Sequence, residues 1–171
     1  MKTIFLWRAV GFVTAILSGY LIGHVIVLAR YFDWLIANGY ASMLEDTYAV
    51  FRVEGDPVTP YIGSFFIQFL LAIALLITGL RQRKRFGAHK LAMAACAVLA
   101  LPLTMFVFTV SGFHHVEHHV MAATDLSEST LETWLAMNVP LHVLSAALYV
   151  AAAMMIVFTE PPRRNTLHRS H

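Results

Sequence analysis

Charge is scarce in this chain. Only 13% of its 171 residues are charged, against about 25% in an ordinary soluble domain. That deficit argues against a soluble globular protein and for a membrane protein. Cysteine is almost absent. The single Cys96 lies in an apolar run, which excludes an intramolecular disulfide and leaves the redox compartment open. Period-two alternation is missing, which argues against a membrane β-barrel. Internal repeats and low-complexity tracts are missing too. Basic residues cluster only in the short stretch RQRKRFGAHK, residues 81–90, too little to support nucleic-acid binding.

What is present is hydrocarbon-like sequence. Four apolar segments, about 11–29, 61–80, 91–113 and 135–158, each meet the roughly 20-residue length needed to span a bilayer. The first follows a basic start, Lys2, but its apolar run is too long for a cleaved leader and reads as a retained helix. The expected fold is all-α: a polytopic four-helix bundle of up-down-up-down topology, forming one domain over 1–160, with 161–171 as a disordered cytoplasmic tail.

The charges sort by side. Placing the N-terminus, the 81–90 stretch and the tail together gathers ten of the twelve Lys and Arg residues, leaving only Arg30 and Arg52 opposite. The positive-inside rule then puts both termini in the cytoplasm and the two longer loops outside, in a plasma (inner) membrane. Trp34 and Trp134 are expected at the outer interface and Trp7 near the inner one. Gly11, Ala15, Gly19 and Gly23 recur every four residues, a small-residue strip suited to close approach of another helix or of a second copy. Tyr40 to Val53 is expected to form a short helix on the outer surface, between the turn signals Asn38-Gly39 and Gly55-Asp56-Pro57.

Counting about 1.5 Å per residue from the outer ends of the spans puts His24, Gln68 and His142 at roughly 8 to 12 Å depth, as one polar layer from three helices. Tyr20 lies one turn from His24, and Asn138 one turn from His142. Intramembrane ionisable residues are costly and mark functional sites, although a lone buried histidine also serves as interhelical glue.

Just above that layer stands HHVEHH, with His114, His115, His118 and His119 around Glu117. If the third helix continues through it, His114/His118 and His115/His119 form two i, i+4 pairs, a chelating spacing for iron, copper or zinc. Glu117 is then a ligand, a partner of one, or a proton acceptor. The run also matches H-x-x-E-H and H-x-x-H-H formally, but nothing else here resembles the zinc proteases or di-iron membrane enzymes that carry those patterns. An adventitious metal-binding loop and a pH-sensitive loop are the plainer readings. A haem b held axially by His24 and His142 is the alternative cofactor.

The fourth span opens with WLAMNVPLH, placing Trp134, Asn138 and His142 four residues apart. With the chain length and the four spans, this resembles the anthrone oxygenase-like family of small four-helix membrane proteins. Members carry a Trp, an Asn and a basic residue at such spacing, usually Arg where this chain has His142. The resemblance implies oxygenation of a polycyclic phenolic or quinone-type substrate and carries over Trp134, Asn138 and His142. The expectation is thus a membrane oxidoreductase or metal-binding protein. Glu117 and His142 would be its catalytic residues. His24, Tyr20, Gln68, Trp134 and Asn138 would line the cofactor site. His24, His142 and the four clustered histidines would be metal ligands. Its partners would be membrane lipid, a hydrophobic small molecule and a second copy or larger membrane complex. A metal carrier would need polar residues across the whole membrane, which the inner half lacks. A non-catalytic subunit remains the other rival.

Overall fold

The structure, a computed structural model, describes residues 2–162. Helix α1 (Lys2–Gly23) passes through a π-helical turn (His24–Ala29) into α2 (Arg30–Ala37), making one continuous rod. A turn, a second π-helical stretch (Glu45–Ala49) and α3 (Val50–Glu54) connect that rod to α4 (Val58–Arg81). Then follow α5 (Arg83–Val110), α6 (Phe113–Met121) and α7 (Glu128–Val157). There is no strand among the described residues.

Four rods, Thr3–Ala37, α4, α5 and α7, are long and apolar enough to cross a membrane. They alternate in direction as an up-down-up-down bundle. Each packs on its neighbour in sequence and α1 packs on α7, which closes a ring and sets α4 opposite α7. The outer surface of the ring is apolar: Phe12 on α1, Ile67 and Leu70 on α4, Phe106 on α5 and Met154 on α7 are all exposed. Such a surface suits lipid and not water. Three apolar clusters fill the inside in succession. Trp7, Val10, Leu75 and Phe86 pack at the end carrying the 81–90 stretch, here the basic end. Leu17, Leu21, Phe65 and Tyr149 pack midway. Phe32, Leu44, Phe108, Phe113 and Trp134 pack at the opposite end, here the histidine end.

Several boundaries differ from the apolar runs. The first rod continues eight residues past 29, to Ala37, because a helix stops where its backbone is capped and not where its hydropathy falls. The 81–90 stretch is mostly helical: helix resumes at Arg83, and Gly87, at φ 69°, kinks α5. Its Arg, Lys and Gln residues are good helix formers. The third helix does not run through HHVEHH. It ends at Val110, and Gly112, at φ 75°, takes the left-handed conformation that glycine adopts freely, so α6 is a separate helix. The connecting segment is helical from Met43 to Glu54, close to expectation.

Two tryptophans are not in an interfacial belt. Trp7 and Trp134 are each 2% exposed, and their indoles donate inward, Trp7 Nε1 to the Ile156 carbonyl at 3.2 Å. Trp34 does stay at the surface, 54% exposed. The small-residue strip divides. Gly11 packs so closely on α7 that a β-carbon there would lie 3.0 Å from Ile156 Cγ2, whereas nothing lies near Gly19 or Gly23. From Arg163 onward, with Arg164 and Arg169, the expected tail lies outside the described residues.

Candidate functional site

The site is built on one stripe of α7. Trp134, Asn138, His142, Ser145, Tyr149 and Ile156 are all buried, spaced by the threes, fours and sevens that keep a helical face pointed inward. The Trp, Asn and His of the fourth-span motif are the three uppermost members of that stripe.

Asp33 of α2 ties the first two together. Its Oδ1 accepts from Trp134 Nε1 at 3.0 Å and from Asn138 Nδ2 at 2.7 Å. Asn138 Nδ2 also donates to the Ala29 carbonyl, at 3.0 Å. That carbonyl closes the π-helical turn, a feature that often marks functional sites.

His142 continues the chain of contacts. Its Nδ1 lies 2.8 Å from the Asn138 carbonyl. A carbonyl only accepts, so Nδ1 carries the hydrogen and Nε2 keeps its lone pair. Nε2 points toward Glu117 Oε1 of α6, 3.9 Å away, too far for a hydrogen bond. The base side of the imidazole is therefore uncommitted. His24, from the first turn of the π-helical stretch, stacks on His142 with centroids 4.6 Å apart and planes 25° from parallel. Phe108 and Phe113 meet the His142 ring edge-on at 5.3 and 5.9 Å. A base is thus oriented by its neighbours and walled by hydrocarbon.

Glu117 is half-buried, and desolvation pushes its carboxyl up to about 7, with the Arg52 guanidinium opposing. Tyr48 lies within its electrostatic reach. Tyr48 of the connecting segment packs edge-on against Phe32 at 4.8 Å. Burial chiefly raises the pKa of its hydroxyl; Arg52 opposes, and Glu117 and Tyr20 add to the rise. Tyr61 of α4 meets Tyr20 at 5.4 Å, with the two rings tilted 44° to each other. The connecting segment buries no side chain between Glu45 and Glu54. It is flanked by two clefts. One, of about 330 Å³, is lined by Leu28, Tyr31, Phe32 and Tyr48; the other, of about 680 Å³, by Glu45, Arg52, Glu54 and His118.

The chain matches no protein-family model, no curated protein and no solved structure. Function must therefore be argued from the site.

Of the residues singled out in the sequence, His24, Trp134, Asn138, His142 and Glu117 come together, with Tyr20 at the margin. Gln68 does not. Its amide donates to Thr14 Oγ1 at 3.1 Å and to the Ala97 carbonyl at 3.2 Å, and Thr14 precedes His24 by ten residues of helix, about 15 Å. The shared-layer reading fails because apolar runs do not begin at equal heights: the first rod and α7 both extend well past their hydrophobic segments.

His114, His115, His118 and His119 are exposed on α6. Their rings pair as sequence neighbours, His114 with His115 and His118 with His119, and His119 Nδ1 meets Thr124 Oγ1 at 2.9 Å. Among the described residues no three His, Cys, Asp or Glu side chains converge as a metal site. The haem alternative finds no support in the placement of His24 and His142. An axially held iron lies in the plane of both rings, and these rings lie face to face.

Asp33, Tyr48, Tyr61 and Arg52 were missed. Asp33 had a signal, an acid between Phe32 and Trp34 in a helical continuation of the first span. The others look like ordinary loop and interface residues until folded.

Proposed function

We propose that this chain is an integral plasma-membrane protein with cytoplasmic termini, and that its histidine end, at the outer face, is a proton-transfer site of an oxygenase-type oxidoreductase. Its substrate is a lipid-soluble polycyclic phenol or a tautomer of one, admitted from the bilayer. The observation that carries this reading is His142: a buried imidazole whose Nδ1 is fixed by Asn138, leaving the Nε2 lone pair facing Glu117 at 3.9 Å. The fourth-span motif supports it, since its three residues form one bonded unit with Asp33.

The chemistry needs only a base and oxygen. His142 Nε2 takes a proton from an acidic methylene conjugated to the ring system, and Glu117 stabilises the imidazolium that forms. The resulting carbanion is oxidised by dioxygen to a hydroperoxide, which loses water to leave a carbonyl. One O2 is consumed per substrate; one of its atoms enters the product and the other leaves as water with the two methylene hydrogens. A positioned general base contributes about 10²- to 10⁴-fold.

The test is oxygen uptake by the purified protein in nanodiscs with anthrone as probe, alongside iron, copper and zinc analysis and an absorption spectrum. The reading expects one O2 per anthraquinone formed and a loss of at least about 100-fold in His142→Gln. Uptake no faster than in empty nanodiscs would overturn it.

A further inference from the structure

We propose that the bundle axis below the stacked histidines holds a binding site for one hydroxyl group, between Gln68 and Tyr149. Gln68 is fully buried, and both its amide hydrogens are used, on Thr14 Oγ1 and the Ala97 carbonyl. This fixes the orientation of the amide. Flipping it would set Oε1 against the Ala97 carbonyl, oxygen to oxygen, and against Thr14, whose hydroxyl already donates to the Val10 carbonyl at 2.7 Å. Oε1 therefore faces away from both, and no protein donor reaches it. Tyr149, equally buried, has a hydroxyl with no protein partner. Phe65 links the two residues: its ring meets Tyr149 edge-on at 5.2 Å across the bundle, and it sits one turn before Gln68 on α4. An acceptor without a donor and a hydroxyl without a partner thus come from helices opposite each other in the ring.

A single hydroxyl satisfies both, donating to Gln68 Oε1 and accepting from Tyr149 Oη. It could belong to water or to the phenolic group of a lipid-soluble molecule. The second source deepens the proposed function and rests on it; the first does not. Small buried hydroxyl side chains continue toward the histidine end. Ser145 lies between His142 and Tyr149 on the buried stripe of α7, and Ser18 is buried between Thr14 and His24 on α1. Toward the basic end, Trp7, Val10, Ala72, Leu75 and Phe86 close the axis.

The experiment uses the full chain in nanodiscs, with Tyr149→Phe made in the wild type and in Gln68→Leu (or Gln68→Met, should the leucine variant not fold). Thermal midpoints are measured, and 1-naphthol is titrated by fluorescence. If the two residues share a ligand, Tyr149→Phe lowers the midpoint in the wild type and does nothing once Gln68 is gone. A phenolic occupant further requires that 1-naphthol bind and that Tyr149→Phe weaken it by about tenfold, the worth of one hydrogen bond. No 1-naphthol binding, with the coupling intact, assigns the site to water. A Tyr149→Phe midpoint equal to or above wild type overturns the proposal, because removing a dry, unpaired hydroxyl relieves a cost; so does an equal loss in both backgrounds. His142→Gln separates the two ideas. It abolishes oxygen uptake if the proposed function holds, and it leaves the Tyr149–Gln68 coupling in place whether or not that function holds.

Discussion

Replacing Asp33 by alanine should destabilise the histidine end by about 3 kcal/mol. Asp33 Oδ1 accepts two hydrogen bonds, from Trp134 Nε1 and Asn138 Nδ2, and bonds to a charged group contribute about 1.5–3 kcal/mol each. The two losses are unequal. Asn138 keeps the Ala29 carbonyl as a second acceptor, so its share is largely recovered. Trp134 is 2% exposed and is left with a buried, unpaired N–H. Asp33→Asn keeps an oxygen at the same place without the charge and should cost about 1 kcal/mol. The assay is unfolding by SDS titration in detergent, followed by tryptophan fluorescence, with Trp134→Phe completing a double-mutant cycle. A coupling energy of about 1.5 kcal/mol between positions 33 and 134 is expected for groups in direct contact. A loss under about 0.5 kcal/mol in Asp33→Ala, or strict additivity with Trp134→Phe, would refute the reasoning that this carboxylate organises the site.

Four further outcomes follow from the same geometry. Glu117 has a folded pKa raised to about 7 from 4.5, so its contribution to stability is whole below pH 4.5 and falls as pH rises through 7; chemical unfolding across that window should show the decline, and Glu117→Gln should flatten it. For the same reason anthrone oxidation should rise with pH through about 7 as the carboxylate forms, and a rate that instead falls there removes Glu117 from the mechanism. Phe113→Ala, at a fully buried ring packed on Phe108, Trp134 and His142, should cost about 3–5 kcal/mol, read by the same SDS titration. Changing His114, His115, His118 and His119 together to Gln should shift stability by less than about 0.5 kcal/mol, and calorimetry with zinc should find no tight stoichiometric site for them to lose.

The all-helical character and the number of spans could be read from the sequence because hydrocarbon-spanning runs announce themselves by length. The heights at which side chains meet could not be read the same way. Gln68 is the instructive case: its depth was counted from where hydropathy changes, but α1 and α7 continue as helices well past that point, and the residue bonds to Thr14 and Ala97 instead of the histidines. Trp134 misled for a related reason. Its position near a span end suggests an interfacial anchor, yet its indole is turned inward by Asp33, a partner a hundred residues away in sequence. The WLAMNVPLH motif falls on the buried stripe of α7, but the sequence does not say what that stripe faces. The histidine run was the loudest signal, yet its four side chains are exposed, and Gly112 separates α6 from the helix that was meant to align it.

The π-helical turn His24–Ala29 explains both why the site exists and why Asp33 was overlooked. His24 and Asp33 are nine residues apart. At about 100° per residue in an unbroken α-helix, nine residues turn the chain by roughly 900°, which leaves the two side chains on opposite faces. One of them would then face α7 and the other lipid. A π-helical turn, with its i→i+5 bonding, takes in one extra residue, so the effective rotation becomes that of eight, roughly 800°, and the two lie within about 80° of each other. Both then face α7, where His24 stacks on His142 and Asp33 binds Trp134 and Asn138. Deleting one residue between Val25 and Leu28 should convert the turn to regular α-helix with eight residues from His24 to Asp33, the same rotation of roughly 800°. Asp33 then stays on Trp134. The deletion variant should therefore lose as much stability to Asp33→Ala as the wild type does, whereas insensitivity to that change would show that the turn does not act as a one-residue insertion.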